Sequence, residues 1–334
     1  MMKRLSFRLR MSAFAGLITA AMLAAGPVRA DEDLTMSYPG KPEGIWGQLS
    51  GKIAEEIKSN GLAIETFPES ELGGPRLAVE GIVTNAIDIA FVNGYFLADR
   101  VRGLELLNFP LLAANLDEAK RIIGTVGPDL AAQAGNSGLR ILGYTWLVGT
   151  FISADKCVVH PDDLKGARVI DGPRYHQMLV QSLGGVPLAL ARAEYYTAML
   201  TGLTGTGLFS IPLILETNLH EATDCITDPS DVAVMLVPVV LVMNAQRFDS
   251  QTEEVKQAIE QAARAVEAAA EEKIQAVIDE AVSRYSGEGK RAEKISGEAF
   301  EIWRKAADEL NAKLAKELKL EDLYAKALEA RNKR

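Results

Sequence analysis

The side chains able to do chemistry are few and scattered. His160, His176 and His220 stand at no paired spacing that would hold a metal ion, and no Gly-x-Ser-x-Gly elbow presents a nucleophile. The run Gly202-Leu203-Thr204-Gly205-Thr206-Gly207 is glycine-rich, but it lacks the following lysine and the strand-to-helix setting of a phosphate loop, so it reads as a turn. Acidic side chains are plentiful, 45 in 334 residues, yet their spacing pairs no general acid with a general base. The pattern points away from an enzyme and toward neither a cofactor nor a bound metal. Cys157 and Cys225 are the two thiols. In an oxidising compartment they are candidates for a disulfide; two buried, reduced thiols are the alternative.

The amino-terminal residues bear on the compartment. Lys3, Arg4, Arg8 and Arg10 precede an apolar run from Met11 to Ala25, and Val28-Arg29-Ala30 fits a small-residue cleavage site. The run is shorter than the roughly 20 residues of a spanning helix, so residues 1–30 are expected to be a cleavable signal peptide and the product periplasmic. That segment holds five basic groups and no acidic ones, so its removal takes the formal charge from −9 to −14. So acidic a chain argues against nucleic acid as a partner, because binding phosphate backbones needs clustered Lys and Arg.

From Leu34 onward short apolar strands alternate with helices, the pattern of an α/β fold. Strands are expected at 34–38, 62–67, 86–92 and 167–171. Between the first two, Ile45, Leu49, Ile53 and Ile57 mark one face of a helix, and further helices are expected at 75–85, 117–134, 175–183 and 193–200. Asn93-Gly94 directly follows a strand end, where ligands commonly sit in open α/β sheets. Residues 139–153 and 232–244 are extended segments longer than an ordinary strand, long enough to cross between two lobes and return. From Thr252 the composition shifts to Ala, Glu and Lys with helical periodicity, and Gly287 and Gly289 separate two carboxyl-terminal helices.

Six segments carry a family resemblance. Ser70-Glu71-Leu72-Gly73-Gly74, the stretch from Glu80-Gly81 through Ala86-Ile87-Asp88-Ile89-Ala90, and Leu106-Leu107-Asn108-Phe109-Pro110-Leu111 come first. Gly138-Leu139-Arg140-Ile141-Leu142-Gly143, Pro161-Asp162-Asp163-Leu164-Lys165-Gly166 and Glu194-Tyr195-Tyr196-Thr197-Ala198-Met199-Leu200-Thr201-Gly202 follow in order. Together they resemble the extracytoplasmic receptors of tripartite ATP-independent periplasmic (TRAP) transporters. The resemblance implies two hinged α/β lobes that enclose a small organic solute, and a membrane permease of one small and one large subunit as partner. It is compatible with a lobe I of residues 31–147 with about 237–275, and a lobe II of 148–236 with about 276–325. A ligand sensor built on the same fold is the alternative function.

The departures bear on the solute. Where the family has an arginine for a solute carboxylate this chain has Ile170; where it often has a second arginine it has Thr150; its asparagine corresponds to Phe209. An isoleucine cannot neutralise a buried anion, so a conventional dicarboxylate is not the expected solute. A shifted alignment, with Arg168 or Arg174 as the anchor, is the alternative, and Arg174 is a candidate in its own right. Asp171, Asp228 and Asp231 leave room for a cationic or hydroxylated solute. Tyr38, Trp146 and Phe209 are the aromatic candidates for the cleft, and Asn93 the polar one.

Overall fold

The computed structural model describes residues 33–59 and 62–333; the expected signal segment lies outside the described residues. The first half runs β1 (Leu34–Tyr38), α1 (Ile45–Lys58), β2 (Ile64–Pro68), α2 (Pro75–Val83), β3 (Ile89–Asn93), α3 (Gly94–Leu97), α4 (Leu116–Asn136) and the long β4 (Leu139–Ser153). There follow β5 (Arg168–Asp171), α5 (Arg174–Ser182), β6 (Val186–Leu188), α6 (Tyr195–Leu200), β7 (Thr206–Ser210), α7 (Ile211–Glu216), β8 (Cys225–Asp228) and β9 (Met235–Asn244). The chain closes with α8 (Ala245–Asp249), α9 (Glu253–Gly287), β10 (Arg291–Lys294), α10 (Gly297–Leu318) and α11 (Glu321–Asn332). No described helix is long and apolar enough to cross a membrane.

The strand order is β2-β1-β3-β9-β4-β7-β5-β6, with β8 joining β4 and β10. β1, β2 and β3 are parallel to one another, as are β5, β6 and β7. The antiparallel ribbon of β4 and β9 links these two halves: β9 pairs with β3 along 239–243, while β4 passes from β9 to β7 at Gly149. β9 is buried at every position and β4 from Val148 onward, as strands covered on two faces must be. This is a two-lobed α/β fold with hinge-crossing strands and carboxyl-terminal helices packed across them. The 35-residue α9 packs on both α1 and β4, burying Ile259, Ala262, Val266, Ala270 and Ile274 along one stripe.

Asp88, from the segment before β3, holds three elements together. Its Oδ2 accepts from the Thr35 amide at 2.8 Å and from the Thr35 hydroxyl, and its Oδ1 accepts from Arg247 Nε at 2.9 Å. Arg247 is fixed in turn because its amide donates to Asn244, whose Nδ2 donates to Ile82 O at the end of α2.

Cys157 and Cys225 form a disulfide with 5.4 Å between Cα atoms. It ties the segment after β4 to β8, inside one half of the sheet rather than across the ribbon. The loop spans 68 residues, so Cys225→Ala should lower stability by about 2–5 kcal/mol. Urea unfolding of the wild type with and without reductant checks this; coincident curves would mean that the bridge does not form.

His176 in α5 is fully buried, and neither ring nitrogen has a partner among the described residues. Burial holds its pKa down at about 4, below the ordinary 6.5. The unfolded chain therefore binds a proton that the native state refuses as pH falls from 6.5 to 4. Stability is intact above 6.5 and drops through that window, by up to roughly 3 kcal/mol. In His176→Leu the acid limb of a stability-versus-pH curve should flatten between pH 6.5 and 4; an unchanged limb would remove His176 as its cause.

Candidate functional site

The ribbon strands decide which side chains face the cleft, because residues paired across an antiparallel ladder share a face and successive residues alternate. Leu147 pairs with Val237, and Leu147, Val237 and Val239 line the two cavities between the halves. Trp146, Val148 and Leu236 fall on the opposite face.

The first cavity, about 280 Å³, lies between the turn after β1 and the start of α7. Pro39 ends the first strand, and Gly40, at φ +84°, turns the chain so that Lys41 and Trp46 reach the cavity. From across the cleft come Arg192, Ser210 and Glu216. The second cavity, about 350 Å³, lies between the β3–α3 junction and the start of α5, where Gly172-Pro173 introduces Arg174. Asn93 and Phe96 line both cavities and make them one continuous cleft.

The family model of the bacterial extracellular solute-binding proteins, family 7, matches residues 44–318. The chain belongs to that family.

Relatives agree with the assignment. A TRAP periplasmic solute-binding protein of Ochrobactrum anthropi superposes with a TM-score of 0.83 at 18% identity, covering 91% of this chain and 97% of that one. One from Rhodoferax ferrireducens with bound malonate gives 0.78 at 22%, covering 89% and 98%. Among curated proteins, a solute-binding protein of Albidiferax ferrireducens is 24% identical over 58% of each chain. The 2,3-diketo-L-gulonate-binding periplasmic protein of Escherichia coli is 25% identical over 62% of this chain and 63% of its own. The match thus spans somewhat under two thirds of those two relatives.

In this solute-binding protein the cleft is unevenly charged. Arg174 is exposed and lines the second cavity, and among the described residues it has no carboxylate partner; its guanidinium stands 5.8 Å from the Tyr175 ring centre. Tyr175 donates from its hydroxyl to Glu105 at 2.6 Å, and burial, with that carboxylate beside it, raises its pKa. In the first cavity Arg192 pairs with Glu216 at 3.3 Å, whereas Glu69 has no cationic partner among the described residues and burial raises its carboxyl. Asn93 Oδ1 caps α3 by accepting from Tyr95 N at 3.1 Å, so its Nδ2 is the end of the carboxamide left for a solute.

Of the candidate cleft residues, Asn93 and Arg174 line the cavities, whereas Tyr38, Trp146, Thr150, Ile170 and Phe209 do not. Trp146 is on the opposite face of β4 from Leu147, because the pleat reverses direction at each residue. Thr150 is fully buried and its hydroxyl donates to Thr227 O at 2.5 Å. Ile170 is fully buried in a core that also takes in Tyr175 and Phe209. Phe209 packs on Tyr195, ring centres 5.0 Å apart, and its neighbour Ser210 is the β7 residue that lines the cleft. Tyr38 is buried beneath α1 and α9. Asp228 accepts from Ser230 in a turn, and Asp231 pairs with Lys294 at 2.7 Å. Lys41, Glu69, Phe96, Arg192 and Ser210 escaped the sequence reading. The signals available were the Pro39-Gly40 turn at a strand end, and the nearness of Arg192 to the Glu194-Tyr195 segment.

Proposed function

We propose that this protein captures a small organic acid in the periplasm and delivers it to a TRAP-type permease of one small and one large membrane subunit, binding the solute without transforming it. The lobes, residues 31–147 with about 237–275 and 148–236 with about 276–325, close about the β4–β9 ribbon. Closure desolvates the solute and forms the surface that the permease reads. Family membership supports the binding role, and relatives solved with malonate, D-erythronate and β-D-glucuronate support an acid as the class.

The observation that carries the choice of solute is Arg174, the cleft guanidinium without a carboxylate partner among the described residues. One free guanidinium suits one carboxylate, and the first cavity, which holds Glu69 and Glu216 as well as Lys41 and Arg192, offers a second anionic end no net positive charge. The solute is therefore a monocarboxylate with a hydroxylated or weakly polar body lying over Phe96. A thermal-shift screen of the mature protein against matched mono- and dicarboxylates, polyols and amines tests this, since a bound solute stabilises the folded state. Hydroxy monocarboxylates should raise the melting temperature most; a stronger response to dicarboxylates would overturn the choice.

A further inference from the structure

We propose that the groove behind the crossing ribbon is a second ligand site, for a small primary amine with an apolar body. It is a cavity of about 310 Å³ lined by β4, α4 and α9 that shares no lining residue with the two cleft cavities. A neighbouring cavity of about 330 Å³ shares Leu116, Lys120 and Glu271 with it and extends the groove along Val148 and Leu236. Each volume is at the lower end of ordinary small-molecule sites.

The polar groups in the groove are arranged for a donor. The Tyr144 hydroxyl is buried and has no hydrogen-bond partner among the described residues, and Tyr144 lines the cavity from the same face of β4 as Trp146, the alternate residue Thr145 facing the other way. A buried hydroxyl without a partner costs free energy that an incoming ligand recovers. Glu267, which also lines the cavity, places Oε1 2.6 Å from the Tyr144 amide, which donates to it. That approach is built into the strand: the β4–β9 register shifts between Ile141 and Gly143, and a Cβ on Gly143 would stand 2.8 Å from the same oxygen. Glu267 has no ion pair among the described residues. The nearby cations are engaged elsewhere, Lys120 with Glu271 at 2.6 Å and Arg264 with Glu260 at 4.0 Å.

The Glu267 carboxylate and the Tyr144 hydroxyl oxygen are acceptors, and an ammonium group, with three donors and no acceptor, matches both. Ile123, Ala270, Ile274 and the Trp146 ring supply the apolar wall for the rest of the ligand. A carboxylate ligand would meet Glu267, whereas Glu271 is already paired with Lys120, so the groove and the proposed acid cleft select opposite charges.

The three tryptophans make the two sites separable. Trp46 lines the solute cleft, Trp146 lines the groove, and Trp303 is fully buried with its indole N–H donating to Val159 O. Benzylamine titrated into the mature protein, followed by tryptophan fluorescence and by heat, is the test. A saturable fluorescence change should survive Trp46→Phe and vanish in Trp146→Phe. Glu267→Gln keeps an acceptor for the Tyr144 amide but removes the charge, and should weaken benzylamine about tenfold while changing benzyl alcohol far less. Gly124 lines the groove from α4 with open space where its Cβ would be, so Gly124→Leu fills the groove without crowding the fold and should abolish the signal. The proposal is overturned by absence of binding up to about 10 mM, a affinity too weak for a built site. It is equally overturned if the fluorescence change is lost in Trp46→Phe but kept in Trp146→Phe, or if Gly124→Leu and Glu267→Gln bind benzylamine as the wild type does.

Discussion

Asp88→Ala should destabilise the protein by about 3–5 kcal/mol, the usual scale for removing one partner of a buried ion pair. Asp88 and Arg247 are both buried, 2.9 Å apart, and the aspartate also accepts from the Thr35 amide at the start of β1. Truncation deprives a buried guanidinium of its carboxylate and a strand amide of its acceptor together. Asp88→Asn, which keeps an oxygen for one of these donors, should lose less. In the double variant Asp88→Ala/Arg247→Met part of the loss should return, because the desolvated cation has gone too. Urea unfolding measures all three. A loss under about 1 kcal/mol for Asp88→Ala would mean that the pair is solvated and that β1, β3 and α8 are held by packing alone.

The same aspartate illustrates what a single sequence exposes. The residue order puts it inside a strand expected at 86–92, whereas β3 starts at Ile89, and its partner Arg247 lies 159 positions away where nothing local announces it. Element order was legible because hydrophobic period and turn residues are local. The first strand and the long crossing strand fall where the pattern put them, Leu34–Tyr38 and Leu139–Ser153, and Gly287 ends α9. The short β10 was missed, since its residues Arg291–Lys294 are mostly charged and pair with β8 only through tertiary contact.

The faces of the ribbon were not legible for a physical reason. Alternation reveals which residues face a core only when one face is polar, and β9 is buried at every position. Trp146 and Thr150 were therefore as good candidates as Leu147, and only the register distinguishes them. Phe209 and Ser210 pose the same problem one strand further on, where a one-residue choice of alignment exchanges a core aromatic for a cleft hydroxyl. Charged cleft residues were harder still. Lys41, Glu69 and Arg192 look in sequence like any solvated loop charge, and become candidates only once the β1 turn and the start of α7 are seen to face each other.

Arg174→Ala should weaken the solute by about 2–5 kcal/mol, roughly thirtyfold to several thousandfold, the cost of truncating one member of a desolvated charge pair. The guanidinium is exposed in the structure and lines the cavity that Asn93 and Asn108 also line. Closure of the lobes removes its water, and a carboxylate bound to it regains two parallel hydrogen bonds in exchange. Arg174→Lys keeps the charge without the fork and should fall between the wild type and alanine. Arg168→Ala is the matched control: Arg168 is exposed on β5, lines neither cavity, and its loss should leave affinity unchanged. Calorimetric titration with the monocarboxylate that most stabilises the wild type ranks the variants. If Arg174→Ala binds as the wild type does while Lys41→Ala does not, the anchor belongs to the first cavity, and the acid lies beside Trp46 rather than beside Tyr175.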